Sequence, residues 1–212
     1  MILATEQLWT GKGINMATKS EIRRDIKAFK HDTDSMMIDF AGEVIGYKIL
    51  ALDEYKKADI IFIYADYNKE VKTETIIKDA LKNGKKVALP RVYKHDIAID
   101  SNSGKYMKFH YIESMDDLEK GYSGIREPKE DLKVADSDTA DNALMIMPMV
   151  AFDGDRNRVG YGGGFYDKYL ESHSFSCKIG IAYEEQKVEA IDDKDEHDIR
   201  PDVIVTEKNI YR

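Results

Sequence analysis

Cysteine is nearly absent: Cys177 is the one thiol in 212 residues. A lone thiol excludes both an intrachain disulfide framework and a cysteine-based zinc site within one chain. It fits a reducing compartment, so the expected location is the cytoplasm. Cys177 precedes the apolar run KIGIAY and reads as a strand-edge or buried thiol rather than a nucleophile. Long apolar runs are missing too. None reaches the roughly 18 residues that a membrane-spanning helix needs, so no membrane role is expected. Residues 1–15, MILATEQLWTGKGIN, lack a basic start and a sustained apolar stretch, which excludes a secretory signal. They show no clear helical period either. Residues 1–17 are set aside as a leader, disordered or appended, with Met16 as a candidate start and 18–212 as one domain. Positive charge is also short. Lys and Arg number 32 against 40 Asp and Glu, a net charge of −8, and this disfavours a duplex nucleic-acid partner. An acidic chain still binds anions where cations and backbone N–H groups gather locally.

What is present is a globular composition, 42% apolar and 34% charged. The length suits one domain at roughly 150 residues per domain as a soft prior. Thr18 is placed to cap a helix through KSEIRRDIKAFK, with Ile22, Ile26 and Phe29 on one face and Lys19 and Arg23 one turn apart on another. A second, longer helix is predicted from about Ser35 to Lys57. ADIIFIYAD is a continuous apolar run and reads as a buried strand. TETIIKDALKNG follows as a third helix with Gly84 just past its end, and KKVALPRVY as the next strand. Strand, helix, strand implies a right-handed crossover and a parallel pair. Farther on, DIAIDSNSGKYMKFHYI suggests a hairpin through SNSG, SMDDLEKG a short helix, and GIREPKEDLKVADSDTADN a polar connection. ALMIMPMVAFD reads as a third buried strand, FYDKYLESH as a helix, and CKIGIAY and PDVIVTE as two more strands. This alternation predicts a three-layer α/β/α sandwich around a mainly parallel sheet.

The most informative stretch is PMVAFDGDRNRVGYGGGFYDKYL, residues 148–170, with four glycines in positions 160–164. It joins a strand to a helix, and in open α/β sheets the ligand crevice lies at the carboxyl ends of strands. Gly160, Gly162, Gly163 and Gly164 allow positive φ and close backbone approach. Their N–H groups, with the positive end of the next helix, suit an anion. Arg158, with Arg156 as a weaker partner, adds charge-assisted bonds for phosphate oxygens. No G-x-x-x-x-G-K-[ST] is present, and Phe165 stands where a dinucleotide fingerprint needs its last glycine. The plain alternative is a glycine-rich turn with surface arginines. Against it, Asp167 beside a phosphate cup repels the ligand unless a cation lies between them, as Mg²⁺ does.

The same stretch resembles the signature of the 5-formyltetrahydrofolate cyclo-ligase family, also called 5,10-methenyltetrahydrofolate synthetases. The shared pattern is Pro, a small apolar run, Phe-Asp, a turn, Arg-apolar-Gly, a glycine cluster and aromatic-Tyr-Asp. KSEIR, EVKTETIIKDALKNGKKVALPRV, GIREP and EEQKVEAI with EHDIRPDVIVTE extend the likeness from about Lys19 to Glu207. The resemblance implies a fold like that of the sugar-phosphate isomerase and CoA-transferase group, with residues 18–212 as a single catalytic domain. It implies a monomeric ligase that closes 5-formyltetrahydrofolate to 5,10-methenyltetrahydrofolate with ATP and Mg²⁺.

By that resemblance Lys19 and Arg23 would reach the ATP phosphates. Arg158, Val159, Gly160, Tyr161, Gly162, Gly163, Gly164, Phe165 and Tyr166 would wrap them. Asp167 and Asp198 would hold Mg²⁺, with His197 structural. Ala65, Glu70, Tyr122 and Tyr166 would meet the folate, and Arg158, Glu70 and Tyr166 would carry the chemistry. The chain departs from the pattern at Tyr161, where some members carry a basic residue. It departs again at Ser123, where an aromatic is usual and Tyr122 lies one position earlier, and in AIDDKDEHD, where a proline is common. A sugar-phosphate isomerase on the same general fold and a non-enzymatic nucleotide- or folate-binding module are the alternatives; fold alone does not separate them.

Overall fold

The computed structural model describes residues 17–94, 104–135 and 142–212. Thr18 caps α1 (Lys19–Asp32) through a capping box with Glu21, and Ile22 and Ile26 form the buried face. The long second helix is in fact two. α2 (Ser35–Ala51) ends at Leu52, whose extended backbone (φ −67°, ψ 142°) starts α3 (Asp53–Lys57). Asp53 and Glu54 then occupy the new helix's first turn, where the dipole favours them. The isoleucine run supplies β1 (Ile60–Phe62), wholly buried. α4 (Glu74–Lys82) follows, and Gly84 takes the left-handed conformation (φ +73°) past its end, as expected. β2 is Lys86–Lys94 and lies parallel to β1.

β3 (Lys105–Ile112) pairs antiparallel with β2, from Val87 opposite Ile112 to Lys94 opposite Lys105. KYMKFHYI thus pairs with β2, while DIAID and most of SNSG, the other half of the expected hairpin, lie outside the described residues. The predicted helix at SMDDLEKG shortens to a 3-10 turn, Met115–Asp117, followed by β4 (Leu118–Lys120). β4 pairs with β5 (Arg126–Pro128) across a 3-10 turn at Tyr122–Gly124, so the polar connection contains a strand. Residues 136–141 of that connection are not described.

The third apolar run is also divided. β6 (Ala143–Pro148) lies in the sheet, whereas β7 (Ala151–Phe152) turns out of it and pairs with β8 (Arg158–Val159). The run stays apolar because α1 covers this ribbon. Ile22 and Ile26 pack there with Val150, Ala151, Val159, Val188 and Ile191 in a cluster of their own. Continuous hydrophobicity therefore does not report the change of partner. α5 (Phe165–Ser172), β9 (Cys177–Ile181), β10 (Val203–Val205) and a short β11 (Ile210–Tyr211) complete the chain.

The sheet order is β11-β10-β9-β6-β1-β2-β3, parallel from β10 to β2 and antiparallel at both edges. Alternation along the strands supplies two faces. Ile61, Ile63, Leu144 and Ile146 pack with Ile45 and Ile49 of α2 and Ile76 and Ile77 of α4. Ile60, Phe62, Met145 and Met147 pack with Tyr169 and Leu170 of α5. This is the α/β fold with a mainly parallel sheet between helices. The chain proceeds outward from β1 to β2 and β3, then returns to β6 on the other side of β1 and proceeds toward β11. The gap beyond the carboxyl ends of β1 and β6 is thus a topological switch point, where open α/β sheets bind ligands. The Glu70 loop leaves β1 there and the ribbon that leads to the glycine loop leaves β6.

Candidate active site

The glycine loop runs from β8 into α5. Gly162 (φ +94°) and Gly164 (φ +63°) occupy the left-handed region, and Gly164 is the residue just ahead of α5. A side chain at 162 would be strained, and its Cβ would lie 3.6 Å from the Arg23 guanidinium. Arg23 Nε donates to the Gly160 carbonyl at 2.7 Å, which fastens α1 to the loop. Arg158, 6% exposed, donates from Nη2 to Asp167 Oδ1 at 2.5 Å and from Nε to the Ile199 carbonyl at 3.1 Å. The Ile199 amide donates to the same Asp167 oxygen at 3.1 Å. Lys19 Nζ meets Asp198 Oδ2 at 2.5 Å, and the Asp195 amide donates to that oxygen at 2.8 Å. Burial pushes the Asp198 carboxyl up, but Lys19 and the Asp195 amide outweigh it and hold the group below the usual range. Its pairing therefore supports the fold at neutral pH and is lost as acid protonates it.

On the β1 side, Ala65 is 3% exposed and packed in the core, three residues beyond the end of β1. Glu70 lies in the turn that follows. Its Oε2 accepts from the Tyr67 amide at 2.9 Å, and its carbonyl accepts from the Tyr183 hydroxyl at 3.0 Å. Burial raises its carboxyl pKa, opposed by the Tyr161 hydroxyl, the Tyr67 amide and the charge on Lys30. The buried Tyr166 hydroxyl has no hydrogen-bond partner among the described residues. Burial first, then the Glu70 charge, pushes that phenol far above its ordinary value, so it stays a donor. An orphan buried donor between the two loops is what a substrate oxygen would satisfy.

Other expected residues lie farther from this meeting point. The Val159 side chain is fully buried in the α1 cluster, which leaves only its main chain for a ligand. Phe165 packs against the sheet. Tyr122 is 36% exposed at the tip of the β4–β5 hairpin, where Lys105 donates to its hydroxyl at 3.0 Å. His197 is exposed, with Nδ1 3.4 Å from Glu171. Arg156 sits in the β7–β8 turn at φ +65° and makes no side-chain bond to the loop glycines. Lys30 was not singled out from the sequence. Its Nζ donates to the Tyr161 hydroxyl at 3.3 Å. Lys19, Arg23 and Lys30 fall within about 40° of one another around a helix, a signal that extending the face by two turns exposes.

Among the described residues no group of three or more His, Cys, Asp and Glu side chains forms a metal cage. Asp167 and Asp198 are joined through Ile199, and both bonds to Asp167 fall on Oδ1, leaving Oδ2 without a partner among the described residues. This donor set fits Mg²⁺ in its usual nucleotide mode, with one or two carboxylates and the remaining ligands from phosphates and water.

The sequence profile of the 5-formyltetrahydrofolate cyclo-ligase family matches residues 15–207. The chain is 31% identical over 166 residues to the mouse 5-formyltetrahydrofolate cyclo-ligase, covering 76% of this chain and 79% of that one. It is 30% identical over 199 residues to the Schizosaccharomyces pombe "Probable 5-formyltetrahydrofolate cyclo-ligase", covering 88% and 91%. The solved 5,10-methenyltetrahydrofolate synthetase of Aquifex aeolicus superposes with a TM-score of 0.75 at 28% identity, covering 92% of both chains. With its glycine loop, paired carboxylates and Glu70 turn meeting where the sheet order reverses, the chain belongs to the 5-formyltetrahydrofolate cyclo-ligase family.

Proposed function

We propose that this chain closes 5-formyltetrahydrofolate to 5,10-methenyltetrahydrofolate at the expense of ATP, with release of ADP and phosphate. The observation that carries the reading is the placement of an anion loop and a half-buried carboxylate, Glu70, on the segments that leave β6 and β1 at one switch point. A formamide oxygen is a poor leaving group as it stands, and phosphorylation corrects this. The formyl oxygen attacks the γ-phosphorus, the bond to the bridging oxygen breaks, and ADP leaves. N10 then attacks the resulting iminium carbon, loses its proton, and phosphate departs.

The protein's part is alignment and charge. Arg23 and Arg158 border the glycine loop and Lys19 lies one turn before Arg23 on α1, each held by an oxygen acceptor that phosphate oxygens would replace. Mg²⁺, held by Asp167 and Asp198 together with the phosphates, would supply further neutralisation of the transferring group. Glu70, when ionised, would favour the positive charge that develops on the formyl carbon and N5. Tyr166 would donate to a substrate oxygen. Gly162 and Gly164 would let main-chain amides approach the phosphates without a Cβ in the way.

Incubation with 5-formyltetrahydrofolate and Mg-ATP tests the activity. The methenyl chromophore and ADP are expected in equal amounts, and chromophore without ADP, or ADP without chromophore, contradicts the coupling. Glu70→Gln is expected to cut turnover about 100-fold and leave the KM for ATP within about twofold. Its effect on stability has the opposite sign. The carboxyl pKa is raised on folding, so ionised Glu70 opposes the fold at neutral pH, and that penalty disappears as the pH falls through the folded value. Glu70→Gln should therefore be more stable at pH 7, by about 0.5–1 kcal/mol. A less stable variant, or a lost ATP affinity, would place Glu70 outside the folate half of the site.

A further inference from the structure

β2 runs on past its parallel neighbour. β1 pairs with it only from Lys86 to Ala88, so farther along that side of β2 is a strand edge whose amides need other acceptors. The Val92 amide finds one in β5: it donates to Glu127 Oε1 at 3.2 Å. One residue earlier, Arg91 donates to the Pro128 carbonyl at 2.7 Å and to Glu119 Oε1 at 2.8 Å, which ties both strands of the β4–β5 hairpin to β2. Glu127 is 4% exposed, a buried carboxylate that the proposed chemistry does not use. Its other oxygen lies against Gly121, the residue that opens the turn at the hairpin tip. A Cβ at 121 would come within 2.1 Å of Oε2.

The tip needs such support. Strands of three residues do not hold a hairpin by themselves. Ser123 sits at φ +53°, a conformation that persists where the surroundings fix it. The tip also borders the Glu70 turn: a Cβ at Gly124 would lie 3.6 Å from the Tyr67 hydroxyl, and the Tyr67 amide is the one that donates to Glu70. We propose that Glu127 is a positioning residue for the folate, seated between the Val92 amide and Gly121 so that the hairpin is locked onto β2 and Tyr122 is held at the rim of the cleft. The inference rests on the reading of that cleft as the folate site, with Tyr122 as an outer contact. Glu127 acts as an acceptor and a wedge and takes no part in the chemistry. Its loss frees the tip while Arg91 keeps the base of the hairpin in place, so the damage falls on the folate side and spares the glycine loop.

The test compares Glu127→Ala, Glu127→Gln, Gly121→Ala, Tyr122→Ala and the double variant Gly121→Ala with Glu127→Ala in steady-state kinetics, each below its melting temperature. Glu127→Ala is expected to raise the KM for 5-formyltetrahydrofolate about tenfold, the size of one lost aromatic contact, and to leave the KM for ATP within about twofold. Tyr122→Ala should do the same. Glu127→Gln keeps an oxygen acceptor and should stay within about twofold of the parent in both. Gly121→Ala should copy Glu127→Ala, because φ −110° lies outside the left-handed region that favours glycine and the added methyl collides with the carboxylate. In the double variant that collision is gone. Its folate KM should match that of Glu127→Ala within about twofold, against about 100-fold above the parent for two independent sites. A merely structural role would lower the melting temperature and the yield of active enzyme with both KM values in place, and that result overturns the proposal. So do equal rises in the two KM values, independent effects in the double variant, or an unmoved folate KM in Tyr122→Ala. A parent that forms no methenyl chromophore sinks the reading of the activity and this inference with it. An active parent whose folate KM does not move in Glu127→Ala sinks the inference alone.

Discussion

Arg158→Met is expected to melt about 5–10 °C lower than the parent and to need about 10–100-fold more ATP for half-maximal rate. The two losses have one origin. The guanidinium is 4% exposed and bonded to both Asp167 and the Ile199 carbonyl. Removing one member of a buried pair commonly costs about 3–5 kcal/mol, because the other is left charged and unpaired. Asp167 keeps 24% of its side chain in contact with solvent, which reduces the figure to about 2–3 kcal/mol. A double variant, Arg158→Met with Asp167→Asn, should regain much of the stability and none of the ATP affinity. Thermal melts set beside ATP and folate titrations separate the outcomes. A selective folate defect would contradict the placement of Arg158 on the phosphates.

Asp167→Asn should lower kcat about 10²–10³-fold and move the Mg²⁺ titration to higher concentration. The amide retains an acceptor for the Ile199 N–H and for Arg158 but has no charge to hold a divalent ion beside phosphates. The readout need not be turnover alone. The extra thermal stability conferred by Mg-ATP over ATP without metal should shrink in the variant. Unchanged turnover and an unchanged Mg²⁺ titration would remove Asp167 from the metal site. Asp198, whose charge is shared with Lys19, should show the same direction with a smaller effect.

Much of this architecture is legible in the residues. The Thr18 capping box, the isoleucine run of β1, Gly84 past α4 and the glycine cluster ahead of α5 are local signals, and each element forms where its own chemistry directs it. The misreadings share a different cause. Leu52 breaks a helix without proline or glycine, because tertiary packing rather than backbone chemistry turns the chain. Ala151, buried under α1, and Phe152, buried with Met149, Ala182 and Ile204, look like more of β6 because burial outside the sheet leaves the same composition as burial within it. β5 is three residues long and polar at its start, too short to show a period. In the site, the cations and acids were legible as types, while their pairing was not. Lys19 finds Asp198 and Tyr183 finds Glu70 across 179 and 113 positions of chain. No local pattern encodes such a match.

The first helix rests on a ribbon and not on the main sheet, and that cluster is small, with Ile22, Ile26, Val150, Ala151, Val159, Val188 and Ile191 among its members. A modest apolar patch resists local opening less than the two large layers around the strands do. Warming is therefore expected to loosen Lys19, Arg23 and Lys30 together before the strands separate. If these cations hold the nucleotide as proposed, ATP affinity should fall as one cooperative unit some degrees below the main melt, which a comparison of ATP binding with the thermal unfolding curve would show.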